Sequence, residues 1–149
     1  MRIAILNGPN LNLLGRREPA IYGTRSMEQV LLDIQRAYPD VYLEYHQSNH
    51  EGVLIDWVQE LGVLRNGQEL DGIVLNAGGY THTSVALRDA VACSQVPVVE
   101  VHVSDITARE DFRRVSLMSD VCAHTIMGHG VNGYLEGVEW IIKQTSGNK

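Results

Sequence analysis

Five short apolar runs, each followed by a stretch of helical spacing, restrict the fold of this chain more than any other feature. The runs cover residues 3–6, 41–45, 73–75, 98–101 and 125–127. Each has the length of a strand and not of a helix, and Val41, Tyr42, Leu43, Glu44 and Tyr45 alternate in polarity and are rich in strand formers. Between the first two runs Met27, Val30, Leu31 and Ile34 recur at i, i+3, i+4 and i+7, which predicts a helix with one apolar face starting at Ser26. A second helix is predicted over 51–64, with Leu54, Trp57, Val58 and Leu61 inward and Asn49 or His50 near its start. A third runs over 85–93 with Thr83 or Ser84 as its capping residue, and a fourth over 134–143 carries Leu135, Val138, Trp140, Ile141 and Ile142. A shorter helix is expected to begin near Arg109.

Strands alternating with helices of this length make parallel βαβ units, whose sheet must be covered on both faces. The expectation is an α/β, flavodoxin-like three-layer sandwich on a five-stranded parallel sheet of order 2-1-3-4-5, with ligands bound beyond the carboxyl ends of the strands. At 149 residues, with no internal repeat, linker or low-complexity tract, residues 1–149 read as one domain, frayed only at 146–149.

The net charge of −6 argues against a nucleic-acid surface, which needs a basic face. Against that acidic background Arg16, Arg17 and Arg25 surround one loop, and Arg109, Arg113 and Arg114 crowd another, a distribution suited to a small anion. Cys93 and Cys122 are too few for a disulfide framework, which favours a reducing compartment. The apolar run at the start is too short for a signal peptide, and no stretch reaches the roughly 18 apolar residues of a membrane span. A cytoplasmic protein is expected.

If ligands collect at strand carboxyl ends, the unusual residues should follow the strands. After the first run, residues 10–23 form a connection of about fourteen residues, where such loops usually take about 2–6. Long ordered loops of this kind often serve as lids. This one holds Arg16, Arg17 and Tyr22 beside Gly23. A free phenol is too weakly acidic to act as a base near neutrality, but a guanidinium beside it, itself always protonated, favours the phenolate. The alternative is a surface loop with solvated arginines.

The fourth run continues as Glu100, Val101, His102, Val103 and Ser104. Alternation along a strand puts Glu100, His102 and Ser104 on one face. A glutamate inside an apolar run is costly unless paired, and His102 is its nearest partner, an arrangement that would support an imidazolium as general acid. Glu-x-His by itself is a weak signal, and Glu100 could instead pair with Arg109 or Arg113. After the third run, Asn76, Gly78, Gly79, His82 and Ser84 combine hydroxyl-binding side chains, close backbone approach and a helix start. The glycines at 128, 130 and 133 suit tight backbone geometry. His46 and His50 straddle a strand end and a helix start, and His124 and His129 read as structural. No metal-ligand spacing, dinucleotide fingerprint or phosphate loop occurs, so neither metal nor cofactor is expected.

These blocks together resemble the type II 3-dehydroquinate dehydratase family. The resemblance rests on Asn7 to Leu11, Gly15 to Pro19 and Tyr22-Gly23 in the lid, and on Gln47-Ser48-Asn49 with Glu51-Gly52. It continues through Asn76 to Ser84 with Ala86 to Asp89, Glu100 to Ser104, Ala108 to Glu110 with Phe112-Arg113, and the glycines from Gly128 to Gly133 before Tyr134. It covers nearly the whole chain in order.

The resemblance implies dehydration of 3-dehydroquinate to 3-dehydroshikimate, with Tyr22 as base, Arg17 and Arg109 supporting its anion, and Asn10 positioning a water. His102, oriented by Glu100, would be the acid. Asn76, His82 and Arg113 would bind substrate, with Ser104 and the backbone of Val103 cradling its carboxylate. Asp89 would reach the site of an adjacent subunit in a dodecamer built from trimers. Asp105 stands where the family often has Asn, and strand alternation predicts that it points away from the anion. Asn132 replaces a frequent Gln, and Val115 a frequent polar residue or histidine. The competing readings are a catabolic quinate-pathway enzyme and a non-catalytic flavodoxin-like anion-binding module. A flavin carrier would need a Ser/Thr/Gly-rich phosphate loop, and a signalling receiver an acidic cluster at the strand ends.

Overall fold

A computed structural model of the chain describes residues 1–65 and 67–147. The five apolar runs form β1 (Arg2–Asn7), β2 (Tyr42–Gln47), β3 (Gly72–Asn76), β4 (Val98–His102) and β5 (His124–Met127). They pair in parallel in the order β2-β1-β3-β4-β5. Side-chain alternation divides each strand between two cores. Ile3, Ile5, Val74, Val99 and Val101 face one layer, while Ala4, Leu6, Ile73, Leu75 and Val98 face the other.

The helices cover both faces. A single turn, α1 (Pro19–Tyr22), precedes α2 (Met27–Ala37), which packs with α5 (Asn132–Gly147) on the first face through Val30, Ile34, Tyr134, Val138 and Ile141. On the other face α3 (Glu51–Gln59) and α4 (Val85–Ala92) bury Leu54, Val58, Leu87 and Val91. Each of these buried aliphatic side chains contributes about 1.5–3 kcal/mol by leaving water, and truncating Ile141 or Leu54 to Ala would cost about 2–5 kcal/mol. No helix among the described residues is long and apolar enough to cross a membrane.

Local chemistry sets the helix starts. Ser26 Oγ accepts from Gln29 N (3.3 Å) while Gln29 Oε1 accepts from Ser26 N (2.9 Å), a reciprocal capping box. Of the two candidates for α4, Ser84 is the cap, its Oγ accepting from Leu87 N at 2.9 Å.

Three boundaries differ from the sequence expectation. The helix expected over 51–64 is α-helical only to Gln59 and widens into a π-turn over Glu60–Leu64. Gly62 lies there against Ser94, and its carbonyl accepts from Gln95 N at 2.8 Å. The short helix expected at Arg109 is replaced by two 3-10 turns, Ile106–Ala108 and Asp111–Arg113, with Arg109 itself extended between them. Asp105 caps the first turn by accepting from Thr107 N at 3.0 Å. The final helix runs longer than expected, to Gly147, so Ser146 and Gly147 are helical and not frayed, and residues 148–149 lie outside the described residues.

Candidate active site

The strand order reverses at β1 and β3, the switch point where α/β sheets leave a crevice. One close chain crossing forms its floor. Gly8 N donates to Asn76 O at 2.7 Å, and a Cβ at Gly8 would lie 2.5 Å from the Ala77 carbonyl oxygen, so only glycine permits the approach. Above this floor lies a cavity of about 140 Å³ that opens to solvent.

The lid over it is ordered by burial. Leu11 and Leu14 are inserted into the core, and Tyr22 ends the single turn α1. Two non-glycine residues in the loop, Asn10 (φ 69°) and Glu18 (φ 36°), take left-handed backbone, a cost that marks a conformation imposed by its surroundings. Asn10 is held by its backbone N–H, which donates to Asn49 Oδ1 at 3.0 Å.

The lid brings Tyr22 against two guanidinium groups. Arg17 Nη2 donates to the phenol oxygen at 3.3 Å and Arg109 Nη1 at 2.9 Å, with the Arg17 and Arg109 Cζ atoms 4.5 and 5.6 Å from the ring centre. Of the other clustered arginines, Arg16 is exposed, Arg25 pairs with Asp33, and Arg114 pairs with Asp111 at 3.1 Å. Arg113 lines the cavity and lies 3.1 Å from Glu110.

On β4, His102 Nε2 meets Glu100 Oε1 at 2.5 Å, so Glu100 pairs with the imidazole and not with Arg109 or Arg113. Three hydroxyls complete the carboxylate's shell: Ser116 donates to Oε1, while Ser119 (2.6 Å) and Thr125 (2.9 Å) donate to Oε2. Burial alone would raise this carboxyl. The hydrogen bond and charge of His102, with the two serine hydroxyls, outweigh it and hold the pKa at about 2. An ionised carboxylate fixed on one ring nitrogen orients the imidazole. These serines and Thr125 were missed from the sequence. Thr125 was the detectable one, since it is the polar residue that opens the last apolar run, and it sits in register opposite Glu100.

All of the expected site residues except Glu100 and Asp89 line this one cavity: Asn10, Arg17, Tyr22, Asn76, His82, His102, Val103, Ser104, Arg109 and Arg113. Glu100 stands behind His102, 1% exposed. Asp89 is exposed on α4, beside an apolar groove lined by Ile55, Val63 and Leu64, and does not enter the cavity of its own chain. His82 Nδ1 lies 2.8 Å from the Val115 carbonyl, which can only accept, so Nδ1 carries a proton and a neutral ring turns an accepting Nε2 elsewhere. The glycine turn after β5 braces the chain at residues 102–104: Gly128 N donates to the His102 and Ser104 carbonyls (3.3 and 3.2 Å), and Gly130 N to that of Val103 (3.0 Å). Asp105 turns its carboxylate to Thr107, accepting from Oγ1 at 2.6 Å, and is absent from the cavity lining.

A phenol gripped by cations, within one cavity with a carboxylate-backed imidazole, is a set of groups suited to acid–base chemistry on a flavodoxin-like domain. The family described as Dehydroquinase class II matches residues 1–142. The chain is 48% identical to a 3-dehydroquinate dehydratase of Halothermothrix orenii over 143 residues, 95% of this chain and 93% of that protein. It is 49% identical to one from Marinomonas sp. over 142 residues, covering 94% and 95% of the two chains. The crystal structure of type II dehydroquinase from Butyrivibrio crossotus superposes with a TM-score of 0.87 at 43% identity, over 95% of this chain and 97% of that one. The chain belongs to the class II dehydroquinase family.

Proposed function

We propose that this chain is a hydro-lyase that converts 3-dehydroquinate to 3-dehydroshikimate, by anti elimination of water through an enolate, in the shikimate pathway of aromatic amino acid biosynthesis. Residues 1–149 act as one catalytic domain. The observation that carries the reading is the Tyr22 hydroxyl, which accepts N–H from both Arg17 and Arg109 inside the cavity that His102 lines.

Tyr22 acts as phenolate and takes the proton from the carbon beside the ketone, and the C–H electron pair moves onto the carbonyl oxygen to give an enolate. Arg17 and Arg109 stabilise negative charge on the phenol before this transfer and beside it afterwards. Asn10 positions a water that donates to the enolate oxygen. The enolate then re-forms the ketone as a carbon–carbon double bond develops and the hydroxyl leaves. His102, oriented by Glu100, delivers the proton that makes this hydroxyl water. Tyr22 then loses its extra proton and His102 regains one, so the balance is one water eliminated. Asn76, His82 and Arg113 hold the substrate, and Ser104 with the backbone of Val103 cradles its carboxylate.

The reaction proceeds without metal or cofactor. The protein works in the cytoplasm as a dodecamer built from trimers, in which Asp89 extends from α4 to a neighbouring site; sedimentation equilibrium at twelve times the chain mass is expected. The reaction itself is tested by adding 3-dehydroquinate and following the ultraviolet absorbance of the conjugated enone. Its growth at the same rate in excess chelator supports the proposal, and absence of enone overturns it.

A further inference from the structure

We propose that Tyr134 is a positioning residue for this site: through a buried hydrogen-bond chain it fixes which way the Asn76 amide faces and so which group the cavity offers to substrate. The inference rests on the dehydratase reading for its substrate, but on geometry for the chain itself.

Tyr134 lies in the first turn of α5 and is fully buried, as is Asn7; Asn76 is 4% exposed. Asn7 and Asn76 face each other in register at the carboxyl ends of β1 and β3. Gly78 N donates to Asn76 Oδ1 at 3.1 Å, and a backbone N–H can only donate, so the amide oxygen is committed to that side. The amide nitrogen is thereby turned to Tyr134, donating to its hydroxyl at 3.0 Å. The hydroxyl's single hydrogen then goes to Asn7 Oδ1 at 2.8 Å, and Asn7 Nδ2 is left facing the Tyr45 hydroxyl at 3.4 Å.

One arrangement satisfies every member. Turning the Asn76 amide over would set its N–H against that of Gly78, and turning Asn7 would set an N–H against the hydroxyl hydrogen. Burial pushes the Tyr134 phenol well above its ordinary range, so it remains a neutral donor. With its oxygen held by Gly78 and one N–H held by Tyr134, Asn76 keeps its second N–H for the cavity it lines. The site therefore presents a donor there, fitted to a substrate hydroxyl or carboxylate oxygen.

The test is a double-mutant cycle on the folded enzyme, assayed well below its melting temperature. Tyr134→Phe is expected to raise KM for 3-dehydroquinate about tenfold, the effect of one lost neutral hydrogen bond, with a smaller change in kcat. In an Asn76→Ala background the same substitution should change kcat/KM by less than about twofold, since the two act as one unit. A purely structural tyrosine would leave KM unmoved or give additive losses, and either result overturns the proposal. Asn7→Ala, which removes the hydroxyl's acceptor, carries the same expectations if Tyr134→Phe does not fold. Hydrogen exchange of the Asn76 side-chain amide needs no substrate: it should be protected in the wild type and at least about tenfold faster in Tyr134→Phe. Unchanged exchange overturns the inference even if the wild type fails to turn over 3-dehydroquinate, a failure that would instead sink the functional reading.

Discussion

Arg109 Nη1 donates to the Tyr22 hydroxyl across 2.9 Å, joining residues 87 positions apart in the sequence. The bond ties the lid that follows β1 to the loop that follows β4, so the phenol meets its second cation only when the lid is seated. Tyr22→Phe keeps the ring and its packing but has no oxygen to ionise. Turnover is expected to fall by about 100- to 10,000-fold, with the fold unchanged by circular dichroism. Near-normal turnover in that variant would remove Tyr22 from the chemistry.

The two arginines should not be equivalent. Arg109 makes the shorter bond and its side chain is 15% exposed, against 3.3 Å and 29% for Arg17, which also lies 3.3 Å from Glu18. A less solvated charge acts more strongly on the phenol. Arg109→Lys, which loses the planar fork, is expected to lower kcat by about 100- to 1,000-fold, and Arg17→Lys by less. Steady-state kinetics on the two variants decide the order, and a larger loss at Arg17 would contradict it.

Much of this is legible in the sequence. Period-two and period-3.6 patterns are local, and they located β1 to β5 and the inner faces of Val30, Ile34, Leu54 and Val58 because burial selects those residues directly. Glu100 and His102 were legible because a carboxylate in an apolar run requires a partner, and i+2 on a strand supplies one. The π-turn at Glu60–Leu64 was not, since it packs against Ser94 and Gln95, far along the chain, where no local pattern points. Ser116 and Ser119 stayed hidden for the same reason: a serine in an irregular loop carries no periodicity, and its role depends on where the loop closes. Residue chemistry alone does not choose among the six clustered arginines; the family resemblance points to Arg17 and Arg109, and the lid's folded path brings both to the Tyr22 hydroxyl.

The lid should be separable from the rest of the fold. Leu11 and Leu14 are each 4% exposed and anchor a segment otherwise rich in exposed residues. Leu14→Ala removes apolar contact worth about 2–5 kcal/mol from a segment that can open locally. The expected result is a rise in KM and a fall in kcat of at least about tenfold, with the far-ultraviolet spectrum retained. A protein that unfolds globally, with no change in activity at low temperature, would show that the lid is not an independent unit.

Glu100 links the site to acid stability. Its carboxyl ionises at about 2 in the folded chain against an ordinary 4.5, so the native state holds the proton less tightly than the unfolded chain does. Stability from this group is fully present above about pH 4.5 and is lost as the pH falls toward about 2, because the unfolded chain takes up the proton first. The size is on the order of 3 kcal/mol, at about 1.4 kcal/mol for each pH unit between the two values. Glu100→Gln abolishes this titration, and it also places an amide N–H against groups that now donate to a carboxylate. Urea unfolding of the wild type between pH 5 and 2 should therefore show a steeper loss of stability than Glu100→Gln over the same window. Parallel curves would mean that the Glu100 carboxyl binds its proton equally well in the folded and unfolded chains. At neutral pH the variant should retain its fold yet lose at least about 100-fold in kcat, because a neutral amide cannot support the imidazolium that protonates the departing hydroxyl.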